Sequence, residues 1–410
     1  MEMTGITLGR IRASIAHAMK SPFYRERFAG IPAEAVQSRG DFEKLPFTAK
    51  EDLRDAYPLG LLAVDDERVV RLHSSSGTTG MPVIIPYTQK DVNDWSRMFR
   101  RCYETAGITA KDRLHITPGY GLWTAGIGFQ LGAELLGAMA IPMGPGNTDK
   151  QIKMMEDLGS TVLCATASYA LLLAEEIERR RLRGRLCLKK GVIGSERWGE
   201  KMRGRIAAEL GVELYDIYGL TEVYGPGIGI SCSCRAGMHL WTDYLYCEII
   251  DPRTGEVLPP GEGGELVITT LEKEGAPLIR YRTRDLTREL PGPCACGLPY
   301  PRIDAITGRS DDMVKVKGAM IYPGRVDELL ALIPDVSSEY QVYIERRDNR
   351  DVLNLFFETP LAAGEGRAAL EKTVEAVFKA EIGLTPRAKA LGIMELPRSE
   401  KKSIRIFDKR

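Results

Sequence analysis

Apolar residues at Ile11, Ile15 and Met19 recur at helical spacing, and residues 89–106 form a polar segment without Gly or Pro, so the chain is expected to open with an α-rich section. From about Asp112 the pattern alternates. An apolar run at 114–116, a helical pattern at 131–136, another at 149–158 and a β-rich stretch at 161–165 come first. They are followed by helix 169–181, strand 191–193, helix 200–210 and strand 212–215. Strands and helices taking turns at this spacing predict parallel sheets covered by helices. Between 244 and 270 the strands crowd together, with turn signals at Asp251-Pro252, Thr254-Gly255 and 259–264, which predicts an antiparallel β subdomain. Past Gly308 the order reads strand 313–316, helix 324–331, strands 340–345 and 352–357, helix 368–380 and strand 388–393, a β-α-β-β-α-β unit of the split, ferredoxin-like kind. The expected fold class is α/β. A large N-terminal domain over 1–309 would combine parallel sheets with the antiparallel β subdomain, and a small α+β domain would occupy 310–410. No internal repeat or low-complexity segment is visible.

Composition narrows the partners. The 410 residues include 56 Lys plus Arg and 56 Asp plus Glu, so the summed field does not steer the chain toward a polyanion, and nucleic acid is not expected as a main partner. Charged residues interrupt the first twenty positions where a signal peptide needs an apolar stretch, which points to the cytoplasm. The most apolar region, 119–146, is broken by Gln130, Glu134, Pro142 and several glycines, so no membrane span is expected. Of the 8 cysteines, Cys232 with Cys234 and Cys294 with Cys296 form C-x-C pairs, and in a reducing compartment such clusters suggest metal before disulfide.

The stretch SSSGTTGMPV at 74–83 carries the most chemistry. Its glycines free the backbone, and its hydroxyls offer donors to phosphoryl oxygens, as a loop holding a mobile triphosphate tail requires. It has no Lys and is not a Walker loop. Alone, it reads equally well as a surface linker. Further on, Tyr215-Asp216-Ile217-Tyr218-Gly219-Leu220-Thr221-Glu222 runs a strand into a glycine turn. An aromatic there can stack on a base, a threonine hydroxyl can reach a phosphate and a glutamate can hold Mg²⁺.

These two stretches, together with Tyr281-Arg282-Thr283-Arg284-Asp285, Gly308-Arg309-Ser310-Asp311-Asp312 and the tail Pro397-Arg398-Ser399-Glu400-Lys401-Lys402, resemble the ordered core motifs of adenylate-forming enzymes. PFYRERF, LPFTAKEDLRDAYPLGL, GYGLWTAG, IYGLTEVYGPG, APLIRYRTRDLT and GRSDDM are similar in order and spacing to the phenylacetate–CoA ligase branch of that superfamily, across nearly the whole chain. The resemblance implies an AMP-forming acid–thiol ligase. An aromatic carboxylic acid, phenylacetate- or benzoate-like, reacts with ATP and Mg²⁺ to give acyl-AMP and pyrophosphate, and CoA then displaces AMP. An alternative keeps the adenylation but passes the acyl group to an amine or carrier protein, or AMP to a cofactor hydroxyl. A nucleotide-binding scaffold without turnover is disfavoured by retention of Thr221, Glu222, Asp285, Arg309 and Lys402. The partners implied are small molecules, with a homodimer left open.

Carried over position by position, Ser75, Ser76, Gly77, Thr78, Thr79 and Gly80 would hold the β and γ phosphates. Gly194, Ser195 and Glu196 would line the adenine and acyl sites, with Asp216 at the adenine edge, Tyr218 on its face and Gly219 in the turn that follows. Thr221 would touch the α-phosphate, Glu222 the Mg²⁺, and Asp285 with Arg309 the ribose hydroxyls. Lys402 would place a cation between two anions as the carboxylate attacks the α-phosphate; Lys401 stands where the family usually carries Gly. Asp311 matches the hinge about which the C-terminal domain rotates, turning the face that includes Gly318 toward the acyl-adenylate. The acid would lie beside Tyr120, Trp123 and Gly126, with Glu196 and Tyr224 opposite. Tyr224 replaces a Met, so a shorter or more polar acid is expected. Cys232, His239, Cys294 and Cys296 make a closed structural zinc set, against reduced thiols without metal. His17, His73 and His115 have no sequence partner for a catalytic triad.

Overall fold

The chain has many positions where the local pattern already commits an element, and a computed structural model shows how these are assembled. It describes residues 3–75, 81–122, 124–317, 319–347, 350–399 and 404–410. Ser76, Gly77, Thr78, Thr79, Gly80, Trp123, Gly318, Lys401 and Lys402 lie outside the described residues. Two compact units emerge. The first comprises Met1–Pro145, Ser160–Cys164 and Tyr215–Ile306, and the second Gly146–Gly159, Ala165–Leu214 and Thr307–Arg410.

In the first unit, helix Gly5–Ala18 starts where the Thr4 side chain accepts from the Thr7 amide, and it buries Ile11, Ser14, Ile15 and Ala18. Helix Gln89–Thr105 starts with a capping box, Thr88 and Asp91 each serving the other's backbone. It buries Val92, Trp95, Phe99, Cys102 and Tyr103 along one stripe. Strand Arg113–Ile116 pairs in parallel with Met139–Pro142 and with the strand beginning at Val162, as the alternation predicts. The rest of the unit is antiparallel: Leu245–Ile250, Gly263–Thr270, Tyr281–Leu290, Arg302–Ile303, Met238–Leu240, Gly225–Ser231 and then the strand ending at Leu220 follow one another by hydrogen bonding.

Strand Gly225–Ser231 is not predicted, because its three glycines argue against a strand by propensity. It is nevertheless buried throughout. Gly225 adopts φ +102°, and a Cβ there would come within 2.7 Å of the Trp95 ring, so close packing on helix Gln89–Thr105 demands glycine where propensity disfavours it. The hairpin Val69–Ser74 with Ile84–Thr88, which flanks the hydroxyl-rich loop, is also missing from the sequence reading.

In the second unit, helices Ala167–Arg179 and Glu200–Leu210 flank strand Lys190–Gly194. Its C-terminal part is a small α+β body: a sheet ordered Arg387–Leu391, Arg350–Glu358, Tyr340–Arg347, Ile406–Asp408, with helices Pro323–Ala331 and Glu365–Ile382. Val326, Leu329, Val342, Ile344, Leu355, Phe357, Val374 and Phe378 form its core. The predicted strand at 313–316 does not join this sheet. Val314–Val316 pairs instead with Ala319–Ile321, only two residues further on, and Ile406–Asp408 takes the edge position beside Tyr340–Arg347. A local hairpin closes a far shorter loop than a return to the sheet, so it forms at a smaller entropic cost. Among the described residues, no helix is long and apolar enough to cross a membrane.

Candidate active site

The turn that follows strand Glu213–Leu220 gathers several of the expected residues in the first unit. Gly219 is held so close to the returning strand that a Cβ would sit 2.1 Å from the Gly225 carbonyl oxygen, which makes the turn tight. The hydroxyls of Thr221 and Thr124 lie 3.1 Å apart. Glu222 is only 4% exposed, and Lys50 Nζ approaches its Oε1 at 3.0 Å. Lys50 opens helix Lys50–Asp55. That helix is positioned by the Ala49 amide donating to Asp52 and by Thr48, which exchanges backbone bonds with Arg280 and Arg282. Lys50 is absent from the sequence-derived site, and its signal was faint: a lysine in an amphipathic segment 172 positions from the carboxylate it meets, counting 222 minus 50.

Tyr218 and Asp285 are brought together, the phenol donating to Asp285 Oδ2 at 2.7 Å. Burial, and then the neighbouring carboxylate, hold the Tyr218 phenol well above the usual value of 10, so it stays a donor. The Asp216 amide donates to Ser231 Oγ at 2.8 Å. Ser75 extends strand Val69–Ser74, its amide donating to Val83, while its buried hydroxyl has no partner among the described residues. Gly126 packs on Tyr120, whose hydroxyl is likewise buried and unpaired.

Tyr224 is fully buried, its hydroxyl without a partner among the described residues, and Tyr87 donates to its carbonyl at 2.9 Å. Over its ring, 4.8 Å from the centroid, stands the ammonium of Lys273, which also covers Tyr87 at 4.3 Å and donates to the Val223 carbonyl. Sequence reasoning missed Lys273 too, since LEKEGAP reads as a charged surface loop. Burial pushes its ammonium down to about 7, against the pull of Asp91 and Glu222. An unfolded lysine holds its proton to about 10.4. Between these values the unfolded chain binds a proton that the folded one has released, so stability rises with pH across that window; the penalty is full below pH 7. Lys273→Met is therefore expected to flatten the rise in unfolding free energy, by at most about 1.4 kcal/mol per pH unit. Urea melts at pH 6.5 and 8.5 decide this, and identical slopes in variant and wild type would remove the assignment.

The remaining expected residues lie in the second unit. Gly194 ends strand Lys190–Gly194, and Ser195 takes φ 69°, a left-handed conformation uncommon for serine. Glu196 Oε1 and Oε2 accept from the Ser168 amide and hydroxyl at 2.6 and 2.8 Å, so this carboxylate serves the first turn of helix Ala167–Arg179. Arg309 and Asp311, expected to act separately, form a two-point pair at 2.9 and 2.8 Å.

Cys232, His239, Cys294 and Cys296 converge in the first unit, all ligand atoms within 4.8 Å of one another. Cys232 Sγ lies 3.6 Å from Cys294 Sγ, and Cys296 Sγ lies 3.2 Å from His239 Nε2. A tetrahedral ion at about 2.3 Å from sulfur needs sulfurs about 3.7 Å apart. His239 Nδ1 is 2.8 Å from the Tyr300 carbonyl, which makes Nδ1 the donor and leaves the Nε2 lone pair facing the thiols. Cys234 is exposed and outside the cluster.

Comparison with known proteins follows the same lines. The AMP-binding enzyme family matches residues 32–271, and the AMP-binding enzyme C-terminal domain matches 318–410. The chain is 42% identical over 413 residues to the phenylacetate-coenzyme A ligase of Pseudomonas putida, covering 98% of this chain and 93% of that one. Among solved structures, 2-hydroxyisobutyryl-CoA ligase in its postadenylation state with R3-HIB-AMP superposes with a TM-score of 0.88 at 26% identity, covering 98% of this chain and 89% of the other. The same ligase in the thioesterification state, with 2-HIB-AMP and CoA, gives 0.71 at 27% identity, covering 98% and 88%. The chain thus belongs to the adenylate-forming AMP-binding enzymes, within their phenylacetate–coenzyme A ligase branch.

Proposed function

We propose that the turn carrying Thr221, Glu222 and Tyr224 is where this protein activates an aromatic carboxylic acid. As an AMP-forming ligase, the chain joins the acid's carboxylate oxygen to the α-phosphorus of ATP and breaks the bond to pyrophosphate. The thiol sulfur of CoA then attacks the acyl carbonyl, and AMP leaves. What carries the placement is the convergence, on one tight turn, of a paired threonine, a buried carboxylate with its lysine, and the Tyr218–Asp285 pair.

In this reading Ser75 and the hydroxyl loop over 76–80 hold the β and γ phosphates, Thr221 orients the α-phosphate, and Tyr218, Asp216, Gly219, Gly194, Ser195 and Glu196 frame the base. Asp285 accepts from the ribose, and Arg309 donates to it after leaving Asp311. Lys402 neutralises the charge that builds as two anions join. Glu222 would hold Mg²⁺, which supplies further neutralisation when bound; among the described residues this nearly buried carboxylate has one lysine on one oxygen, which leaves the other for a hard cation. Residues 1–309 form the main body, and 310–410, including Gly318, the mobile part, with Asp311 as hinge. The Cys232, His239, Cys294 and Cys296 cluster holds a structural zinc, which its spacing and histidine tautomer support. Work in the cytoplasm and self-association into a homodimer complete the reading, the latter tested by light scattering.

The acid itself is read from Tyr120, Trp123, Gly126 and Tyr224. A buried phenol without a partner is a donor left for a substrate acceptor, and it removes volume that a methionine would yield. The preferred acid is accordingly short, benzoate-like, or bears a hydroxyl or nitrogen. Tyr224→Met should then shift selectivity toward arylacetates by about 1–3 kcal/mol in the ratio of kcat/KM values. Pyrophosphate exchange over a panel of benzoic, heteroaromatic and arylacetic acids, followed by CoA-dependent AMP release, tests both acid and acceptor. A wild type that prefers phenylacetate to every shorter acid, with that ratio unmoved by Tyr224→Met, takes Tyr224 out of the pocket.

A further inference from the structure

Arg398 precedes Lys402 by four positions and spreads its guanidinium over two buried carboxylates. Its Nε and Nη2 donate to Glu175 at 2.7 Å each, while Nη1 and Nη2 donate to Glu358 at 2.9 and 2.8 Å. Nη1 also donates to the Leu396 carbonyl. The Arg398, Glu175 and Glu358 side chains are 9%, 3% and 0% exposed, so this is no surface ion pair. All belong to the second unit, yet they come from different parts of it. Glu175 lies on helix Ala167–Arg179, whereas Glu358 ends a strand of the C-terminal sheet.

The charges balance in a way that permits separation. Arg205, on helix Glu200–Leu210, also pairs with Glu175 at 2.9 Å. Were residues 307–410 to withdraw from these helices, Glu175 would keep Arg205 and Arg398 would keep Glu358. Neither Glu175 nor Arg398 would be left as an unpaired buried charge, the outcome that makes broken buried ion pairs so costly. Further polar contacts cross this junction. Lys201 donates to the Ile333 and Val336 carbonyls, and Arg197 pairs with Asp327. A cavity of about 140 Å³ lies along it, lined by Arg197, Lys201, Asp327 and Arg405 together with the apolar Met202 and Leu330. The charged groups of this junction take up water when it opens, which offsets part of the cost of parting them.

We propose that Arg398 and Glu175 form a separable clamp that positions the Lys402-bearing tail for adenylation and lets go for thioesterification. The proposal rests on the role assigned to Lys402 above. A four-residue segment spans at most about 14 Å, so an anchored Arg398 is a short tether for the chain that follows it. Two of the states in which 2-hydroxyisobutyryl-CoA ligase has been solved, postadenylation at a TM-score of 0.88 and thioesterification at 0.71, supply the pair of arrangements between which a clamp would discriminate. Arg398 and Glu175 are positioning residues and touch no reacting atom.

Half-reactions separate this from a structural role. Glu175→Gln should lower acid-dependent pyrophosphate exchange, measured with phenylacetate or the best acid of the panel, by at least about tenfold. Thioester formation from the supplied acyl-adenylate and CoA should stay within about twofold of wild type or become faster. Arg398→Lys, which keeps the charge and loses the fork across two carboxylates, carries the same expectation and replaces Glu175→Gln should that variant fail to fold. Equal loss in both half-reactions, or no loss in either, overturns the clamp. Lys402→Ala run alongside tells the two readings apart: lost exchange there with intact exchange in Glu175→Gln removes the clamp alone, and intact exchange in Lys402→Ala removes both.

Discussion

Lys402→Ala is expected to suppress acid-dependent pyrophosphate exchange by roughly 100- to 1,000-fold, the scale on which removing one preorganised donor from a charge-developing transition state is felt. The carboxylate and the α-phosphate are both anions, and their approach builds charge that only a cation between them can offset. CoA attack on a preformed acyl-adenylate involves no such meeting of anions at that position. Thioester formation from supplied acyl-adenylate should therefore survive the substitution, and Lys401→Ala should leave exchange nearly unchanged. Rapid-quench assays of the two half-reactions decide the matter. If both fall together, the lysine acts on folding or domain placement, and its catalytic assignment is withdrawn.

The second large effect concerns the cysteine cluster. Elemental analysis of the purified protein should find about one zinc per chain, and the double substitution Cys294→Ser, Cys296→Ser should lose it. Loss of a metal is among the few single-site events that cost about 4 kcal/mol or more. At about 2–4 °C per kcal/mol, the melting temperature should fall by roughly 10 °C. The cluster brings His239, on strand Met238–Leu240, together with Cys232 and the 294–296 turn, and it is separate from the Thr221–Tyr224 turn in the chain. Exchange activity of the protein that remains folded should thus change little. A metal-free preparation of unchanged stability would leave the four residues as reduced thiols.

Much of the fold was legible because it is written in short windows. The β/α alternation from 112 to 215 predicts parallel pairing, and Arg113–Ile116 does pair in parallel with both neighbours. The helices of the C-terminal body fall where the 3.6-residue period puts them. The reading fails where tertiary contact overrules local preference. Gly225–Ser231 is a buried strand because the Trp95 and Phe99 rings occupy the space that side chains would need. Val314–Val316 turns back on Ala319–Ile321 because the nearest available partner closes the smallest loop.

The candidate site divides along the same line. The sequence by itself supplied the residue types that the proposed site draws on: hydroxyls among glycines at 74–83, Thr221 and Glu222 after a glycine, Asp285 and Arg309 in charged motifs, and two C-x-C pairs with a histidine nearby. Each such motif lies within a few residues, and residue type alone limits what it can bind. Only the tertiary structure decided which charges meet. Lys50 on Glu222, Lys273 between Tyr87 and Tyr224, Glu196 turned onto Ser168, and Arg398 across Glu175 and Glu358 are pairings between distant segments. No local preference encodes such a pairing. It arises when chain closure brings two segments together, and burial then makes each charge depend on the partner it finds there.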